Sequence, residues 1–314
     1  MSKILRISLL PRLLFVCGLI LGVGLLGSRW WAAAPTLARH VAAPATTLPR
    51  PDHVVIVIEE NHGYDQIIGA SAAPYINRLA GQGALFTDAH GITHPSQPNY
   101  LALFSGATQG VHDDSCPHTF SAPNLGRALL DAGLTFAGYS ENLPAVGSTV
   151  CEANGYVRKH NPWVNFTNVP ATTNLPFDHF PADYRTWPTV AVVVPTEDND
   201  MHSGSIQRGD TWLQQHLDGY VQWAQTHNSL FILTWDEDDF TAPNQIPTLF
   251  VGPMVRAGRY AEAINHYHVL RTLEDLYGLP YAGNSANVPP IADVWTTAGI
   301  PTATASARTA TATP

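Results

Sequence analysis

The chain has 314 residues, 45% of them hydrophobic and only 13% charged, which excludes an intrinsically disordered protein and suits one large α/β domain or two small ones. Its net charge is −9, but residues 1–50 hold six of the 16 Lys and Arg and no acid, leaving ten basic against 25 acidic residues beyond them. No basic patch survives there, which argues against nucleic acid as a partner; an acidic body that handles an anionic substrate needs local positive charge, such as a bound metal ion.

At the start of the chain, Lys3, Arg6 and Arg12 precede an uncharged apolar run from Leu13 to Gly27. This is the layout of a secretory signal, and the run is shorter than the ~20 residues of a full membrane span. Ala32, Ala33 and Ala34 offer small residues for cleavage, but Pro35 follows directly, so an uncleaved N-terminal membrane anchor is the alternative. Cys17 lies inside the run rather than after it, against a lipobox. Residues 1–34 therefore read as signal peptide or anchor, and 35–50 as an Ala/Pro/Thr-rich linker. Residues 51–300 read as the folded domain and 301–314 as a disordered tail. The expected location is secreted or extracytoplasmic. Cys116 and Cys151 are then an even pair in an exported chain, which suggests a disulfide; they lack the CxxC spacing of a zinc site.

Within the domain, His53–Ile58 is a continuous β-branched run and reads as a buried parallel strand. Helices are predicted at Ala73–Gln82, Pro98–Ser105 and Asn124–Ala132, the first two closed by Gly83 and Gly106. Strands follow at Thr135–Tyr139 and Thr189–Val194, then a long amphipathic helix within Ser205–His227. Leu230–Trp235 and Thr248–Val251 are further strands, and His268–Tyr277 is a last helix. Strands alternating with helices predict an open, mostly parallel sheet with helices on both faces, in one α/β domain. Ligands of such sheets collect beyond the carboxyl ends of the strands.

Polar clusters lie at those ends. In Glu59–Asp65 (EENHGYD), Glu60 and Asn61 offer oxygens to a hard cation, or the segment is an acidic helix start capped by Asn61. In Thr93–Gly106, Ser96 sits two residues before the predicted helix, where free N–H groups favour phosphate. It is either an activated nucleophile or an ordinary N-cap, with Asn99 a donor to phosphoryl oxygens. Asp236–Asp239 are four consecutive acids after a strand, either a cation site or a solvated turn. Between Glu197 and Asp210, His202 follows Asp200 by two; it is a candidate for a second metal or for the leaving-group proton, and His266 and His268 are similar candidates.

The stretches VVIVIEENHGYDQIIG, ITHPSQPNYLALFSG, VRKHNPWVNF, NDMHSGSIQRGDTWL, LFILTWDEDD and HYHVLRTLEDLYGL together resemble the acid phosphatase / phospholipase C phosphoesterase family of the alkaline-phosphatase-like superfamily, closest to its short secreted branch. The resemblance runs from about His53 to Trp295. It implies Ser96 as nucleophile, Glu60, Asn61, Asp236 and Glu237 as metal ligands, Asn99 as a phosphate contact and His202 as a group steadying phosphate or leaving group. His94 is a candidate for proton transfer beside Ser96. Where relatives often carry cysteines around the NDMH segment, this chain has TEDNDMHSGS. The implied activity is a metal-dependent phosphomonoesterase working through a phosphoseryl intermediate, on small phosphorylated substrates or phospholipid headgroups, phosphoinositides included. Oxygen-rich ligands favour Ca²⁺, Mg²⁺ or Mn²⁺, while the superfamily often uses Zn²⁺. The alternatives are a phospholipase C-type diesterase and a non-catalytic surface-binding protein on the same scaffold.

Overall fold

The structure is a computed structural model and describes residues 48–240 and 243–296. The expected signal or anchor, all but residues 48–50 of the linker, and the expected tail lie outside the described residues. Among the described residues eight strands form one sheet: β1 (His53–Glu59), β2 (Ala84–Phe86), β3 (Phe136–Ser140), β4 (Asn174–Pro176), β5 (Val190–Val194), β6 (Ser229–Trp235), β7 (Thr248–Val251) and β8 (Gly258–Tyr260). Their spatial order is β8-β2-β7-β6-β1-β5-β3-β4. Strand β1 sits at the centre, parallel to β5 (Val54↔Val190) and to β6 (Val54↔Leu230). Strands β3 and β4 extend the parallel block, whereas β7 runs antiparallel to both β6 and β2.

The central strands form because they are apolar and β-branched on both faces, the pattern of a strand covered on each side. Val54, Val55, Ile56, Val57 and Ile58 are all buried, as is every residue of β5 and β6. The principal helices are α1 (Pro74–Gln82), α2 (Ser96–Ser105), α3 (Leu125–Asp131), α4 (Ile206–Ala224) and α5 (His266–Tyr277). They fall into two packed groups, α1 with α4 and α2 with α3 and α5. Among the described residues no helix is long and apolar enough to cross a membrane.

Two departures from the sequence reading have local causes. Helix α2 begins at Ser96, not Pro98, with Pro95 as N-cap. Pro98 therefore sits inside the first turn, where its missing N–H forfeits no helical bond. Helix α5 begins two residues before His268, behind an Asn265 cap. Glycine is required at Gly138 on β3, where a Cβ would run into the indole of Trp163. The cysteines are joined as Cys116–Cys151, with a sequence separation of 35.

Candidate active site

Strands β1 and β6 are parallel neighbours with Glu59 opposite Trp235, so the residues after each strand emerge side by side. That places Glu60 and Asn61 against Asp236 and Glu237. Asn61 takes a left-handed φ of 50°, which asparagine tolerates, and its N–H donates to Asp236 Oδ1 at 3.3 Å. Helix α2 delivers Ser96, whose hydroxyl donates to Glu60 Oε2 at 2.9 Å. The same oxygen lies 3.4 Å from Asn61 Oδ1 and 3.5 Å from Glu237 Oε1. The serine is therefore no N-cap: it makes no capping bond and its hydroxyl points at carboxylates.

Asn99 is brought to the same place but is fully engaged. Its Oδ1 accepts the N–H groups of Ile92 and Thr93, and its Nδ2 donates to Thr93 O, Pro95 O and Glu237 Oε2. It shapes the loop before Ser96 and holds Glu237. Nδ1 of His94 lies 2.9 Å from Glu237 Oε2 and its Nε2 3.3 Å from Asp238 Oδ1, with the ring stacked on Phe240. His202 is half-buried, its ring 6.2 Å from that of His160, its N–H donating to Asp200 Oδ1. Burial, then Lys159, holds its pKa below the usual histidine value.

Asp210 and two other sequence candidates, His266 and His268, take structural places. The Asp210 carboxylate accepts the N–H groups of Tyr75 and Ile76 and so caps α1. His268 completes the α5 capping box with Asn265. Nε2 of His266 lies 2.6 Å from the Asp236 carbonyl, and burial pushes its pKa down to about 4, so the neutral ring holds the turn that carries Asp236.

Sequence reasoning did not single out His160 or give Asp200 a role. His160 is fully buried, with Nε2 3.0 Å from Glu60 Oε1 and Nδ1 3.3 Å from Asp200 Oδ2. Its ring stacks on Tyr100 at 4.9 Å. The available signal was its place in VRKHNPWVNF; that stretch folds as short 3₁₀ turns and carries no periodicity.

The electrostatics are those of acids crowded out of water. Burial, then Asp236 and Asp200, raises Glu60 well above the usual carboxylate range. Burial lifts Asp236 to about 7 and Glu237 to about 9, and Asp200 is raised chiefly by burial as well. Burial, then Lys159 and His202, pushes His160 well down, so it is neutral. Glu60 Oε1, Asp236 Oδ2, Asp200 Oδ2 and both His160 nitrogens are buried without a hydrogen bond, although the His160 nitrogens lie close to Glu60 and Asp200. Orphaned buried acceptors are costly, and a cation satisfies them. Glu60, His160 and Asp200 bring ligand atoms within 4.8 Å of one another and have the donors to hold a metal ion. The residues present thus fit a divalent cation.

The mostly parallel sheet, with a serine at a helix start facing acids from two strand ends, is an alkaline-phosphatase-like fold. A solved alkaline phosphatase superfamily protein from Vibrio parahaemolyticus has this fold, with a TM-score of 0.55 at 14% identity over 78% of this chain and 72% of that one. The chain belongs to the phosphoesterase family, whose model matches residues 70–280, and is a hydrolase of phosphoric esters. It is 54% identical to a phosphatidylinositol-3-phosphatase of Mycobacterium tuberculosis, over 90% of this chain and 94% of that protein. It is 30% identical to a phosphate-repressible acid phosphatase of Penicillium chrysogenum, over 79% of this chain and 67% of the relative.

Proposed function

We propose that the chain is an exported, divalent-cation-dependent phosphomonoesterase with Ser96 as its nucleophile, acting on small phosphate monoesters and on phosphoinositide headgroups. The observation that carries this is the 2.9 Å hydrogen bond from Ser96 to Glu60 within a buried cluster of acids. The relatives named for acid phosphatase and phosphatidylinositol-3-phosphatase activity support the substrate class. The signal-like first 34 residues and the Cys116–Cys151 bridge support export, and residues 51–300 make up the single catalytic domain.

Ser96 directs its proton at Glu60 Oε2, which leaves an Oγ lone pair to attack phosphorus. The P–O bond to the alcohol breaks and phosphorus passes to Ser96; a proton reaches the departing oxygen, a task assigned to His202. Water then cleaves the phosphoserine and restores the hydroxyl. A divalent cation held by Glu60, Asn61, Asp236 and Glu237 would neutralise these acids, acidify the hydroxyl and offset phosphoryl charge. Asn99 and His94 keep Glu237 in place, and His266 keeps Asp236.

The test is phosphate release from p-nitrophenyl phosphate with and without chelator, in the full enzyme and in Ser96→Ala. Chelation should abolish turnover, and the variant should lose about 10³-fold or more in kcat. A loss below about tenfold would overturn the assignment. Preference for bis-p-nitrophenyl phosphate over the monoester would replace this reading by the diesterase one.

A further inference from the structure

Beyond Lys3, the chain has one lysine, Lys159. It precedes His160, and its side chain is only 16% exposed. Nζ lies 3.3 Å from Asp114 Oδ2 and 3.6 Å from Glu197 Oε1. Both distances exceed the 2.7–2.9 Å of a strong charge-assisted bond, so a three-donor ammonium retains capacity for another oxygen.

The surrounding contacts fix where that ammonium stands. The other oxygen of Asp114 accepts the N–H of Gln97, the residue after Ser96, at 2.9 Å. Gln97 Nε2 donates to the carbonyl of Ser115, next to Cys116. Cys116 is bridged to Cys151, whose carbonyl accepts the N–H of Arg158. Lys159 is thus tied to the nucleophile's helix through Asp114, and to the Glu60 cluster through its neighbour His160. The neighbouring cations do not compete. Arg158 is spent on Asn165 and the carbonyls of Thr149, His118 and Val164, and Arg208 pairs with Asp198 and Asn199.

We propose that Lys159 is a specificity-determining residue of the phosphoesterase site, binding a non-bridging phosphoryl oxygen of the substrate and so selecting the monoester dianion over a diester. The argument is one of charge. Glu60 and Glu237 lie at the Ser96 hydroxyl, and Asp114 and Glu197 lie at the Lys159 ammonium. A monoester brings one more anionic oxygen than a diester, and that oxygen needs a cation beyond any that balances the acids. Lys159 is placed to supply it. This inference deepens the phosphomonoesterase reading and rests on it.

Lysine scarcity provides a test that needs no turnover. Reductive methylation of the full chain, followed by mass spectrometry of the peptide containing Lys159, should show slower labelling with inorganic phosphate than with chloride at equal ionic strength. Equal labelling rates would overturn the proposal. In parallel, Lys159→Met should lower kcat/KM for p-nitrophenyl phosphate by about 10–100-fold, the worth of a hydrogen bond to a charged group, while that for bis-p-nitrophenyl phosphate changes by less than about threefold. Lys159→Arg should restore most of the monoester preference, since it returns the charge without the amine. Equal losses on both esters would mean that Lys159 only braces the loops, and would also overturn it. A wild-type enzyme that released no phosphate from monoesters would defeat the underlying reading instead, and the protection assay would still decide whether Lys159 meets phosphate.

Discussion

Glu141 and Glu237 both follow buried strands, β3 and β6, at the same edge of the sheet, yet their surroundings are opposite. Glu141 accepts from Thr196 N and Oγ1, from Asn199 Nδ2 and from Trp212 Nε1. Burial would raise its pKa, but these donors, Asn199 foremost, bring it below the ordinary value. Glu237 accepts from Asn99 Nδ2 and meets His94 and Ser96, but burial, then Asp236 and Asp114, outweighs these contacts and lifts it to about 9. The first carboxylate is a structural fastener that ties β3 to the loop after β5 and to α4. The second is held ready for a positive charge. What separates the two acids here is whether donors outweigh burial and neighbouring acids, as at Glu141, or are outweighed by them, as at Glu237.

The comparison can be broken by mutation. The largest expected effect is Asp236→Asn, which should cost about 100-fold or more in activity, in line with removal of a metal-site group. In the presence of chelator the same variant should melt higher than the wild type, because one buried charge is gone. A lower melting temperature there would show that Asp236 is a fastener like Glu141. Next, Glu141→Ala should destabilise the fold by about 2–3 kcal/mol in denaturant titration, since it orphans the Trp212, Asn199 and Thr196 donors. Its kcat should change far less than that of Asp236→Asn. If instead activity collapsed at unchanged stability, Glu141 would belong to the site.

A third expectation concerns pH. Glu237 moves from 4.5 to about 9 on folding, and Asp236 from 3.8 to about 7. The folded state therefore holds these protons more tightly than the unfolded chain. Their contribution is full below the unfolded values and is lost as pH rises through the folded ones. Cation-free protein should thus lose melting temperature between pH 5 and 8, and divalent cation should restore it at pH 8 (~2.7 kcal/mol at a hundredfold excess over Kd). The smallest effect belongs to Glu274, a buried acid that accepts from Ala282 N and Ser285 Oγ, with its pKa raised to about 7 mainly by burial. Glu274→Gln should flatten the shallow slope that remains between pH 5 and 7 with cation present; an unchanged slope would assign it elsewhere.

The sheet was legible because β1, β5 and β6 are apolar on both faces and end abruptly in polar residues, a pattern with few other solutions. That Glu60, Asp236 and Glu237 lie together was legible because they follow β1 and β6 within two residues, whereas Ser96 reaches them from the start of a helix. His160 and Lys159 were not legible: they lie more than 60 residues after Ser96 in chain, on 3₁₀ turns without periodicity, and reach the site through a disulfide and long-range hydrogen bonds. The backbone contacts of Asn99 and His268 were not legible either. Sequence shows that an amide or imidazole is near a strand end, but not which backbone groups have already claimed it.

The position of β1 also bears on how the chain folds. This strand emerges early in synthesis, yet its partners are β5 and β6, so Val54 waits for residues 190 and 230. Contacts of such sequence separation make for slow folding and leave two apolar strand edges open to aggregation in the meantime. Because Glu60, Ser96 and Asp236 meet only when that last pairing closes, recovery of hydrolysis during refolding should lag behind recovery of helical signal and mark the completed sheet.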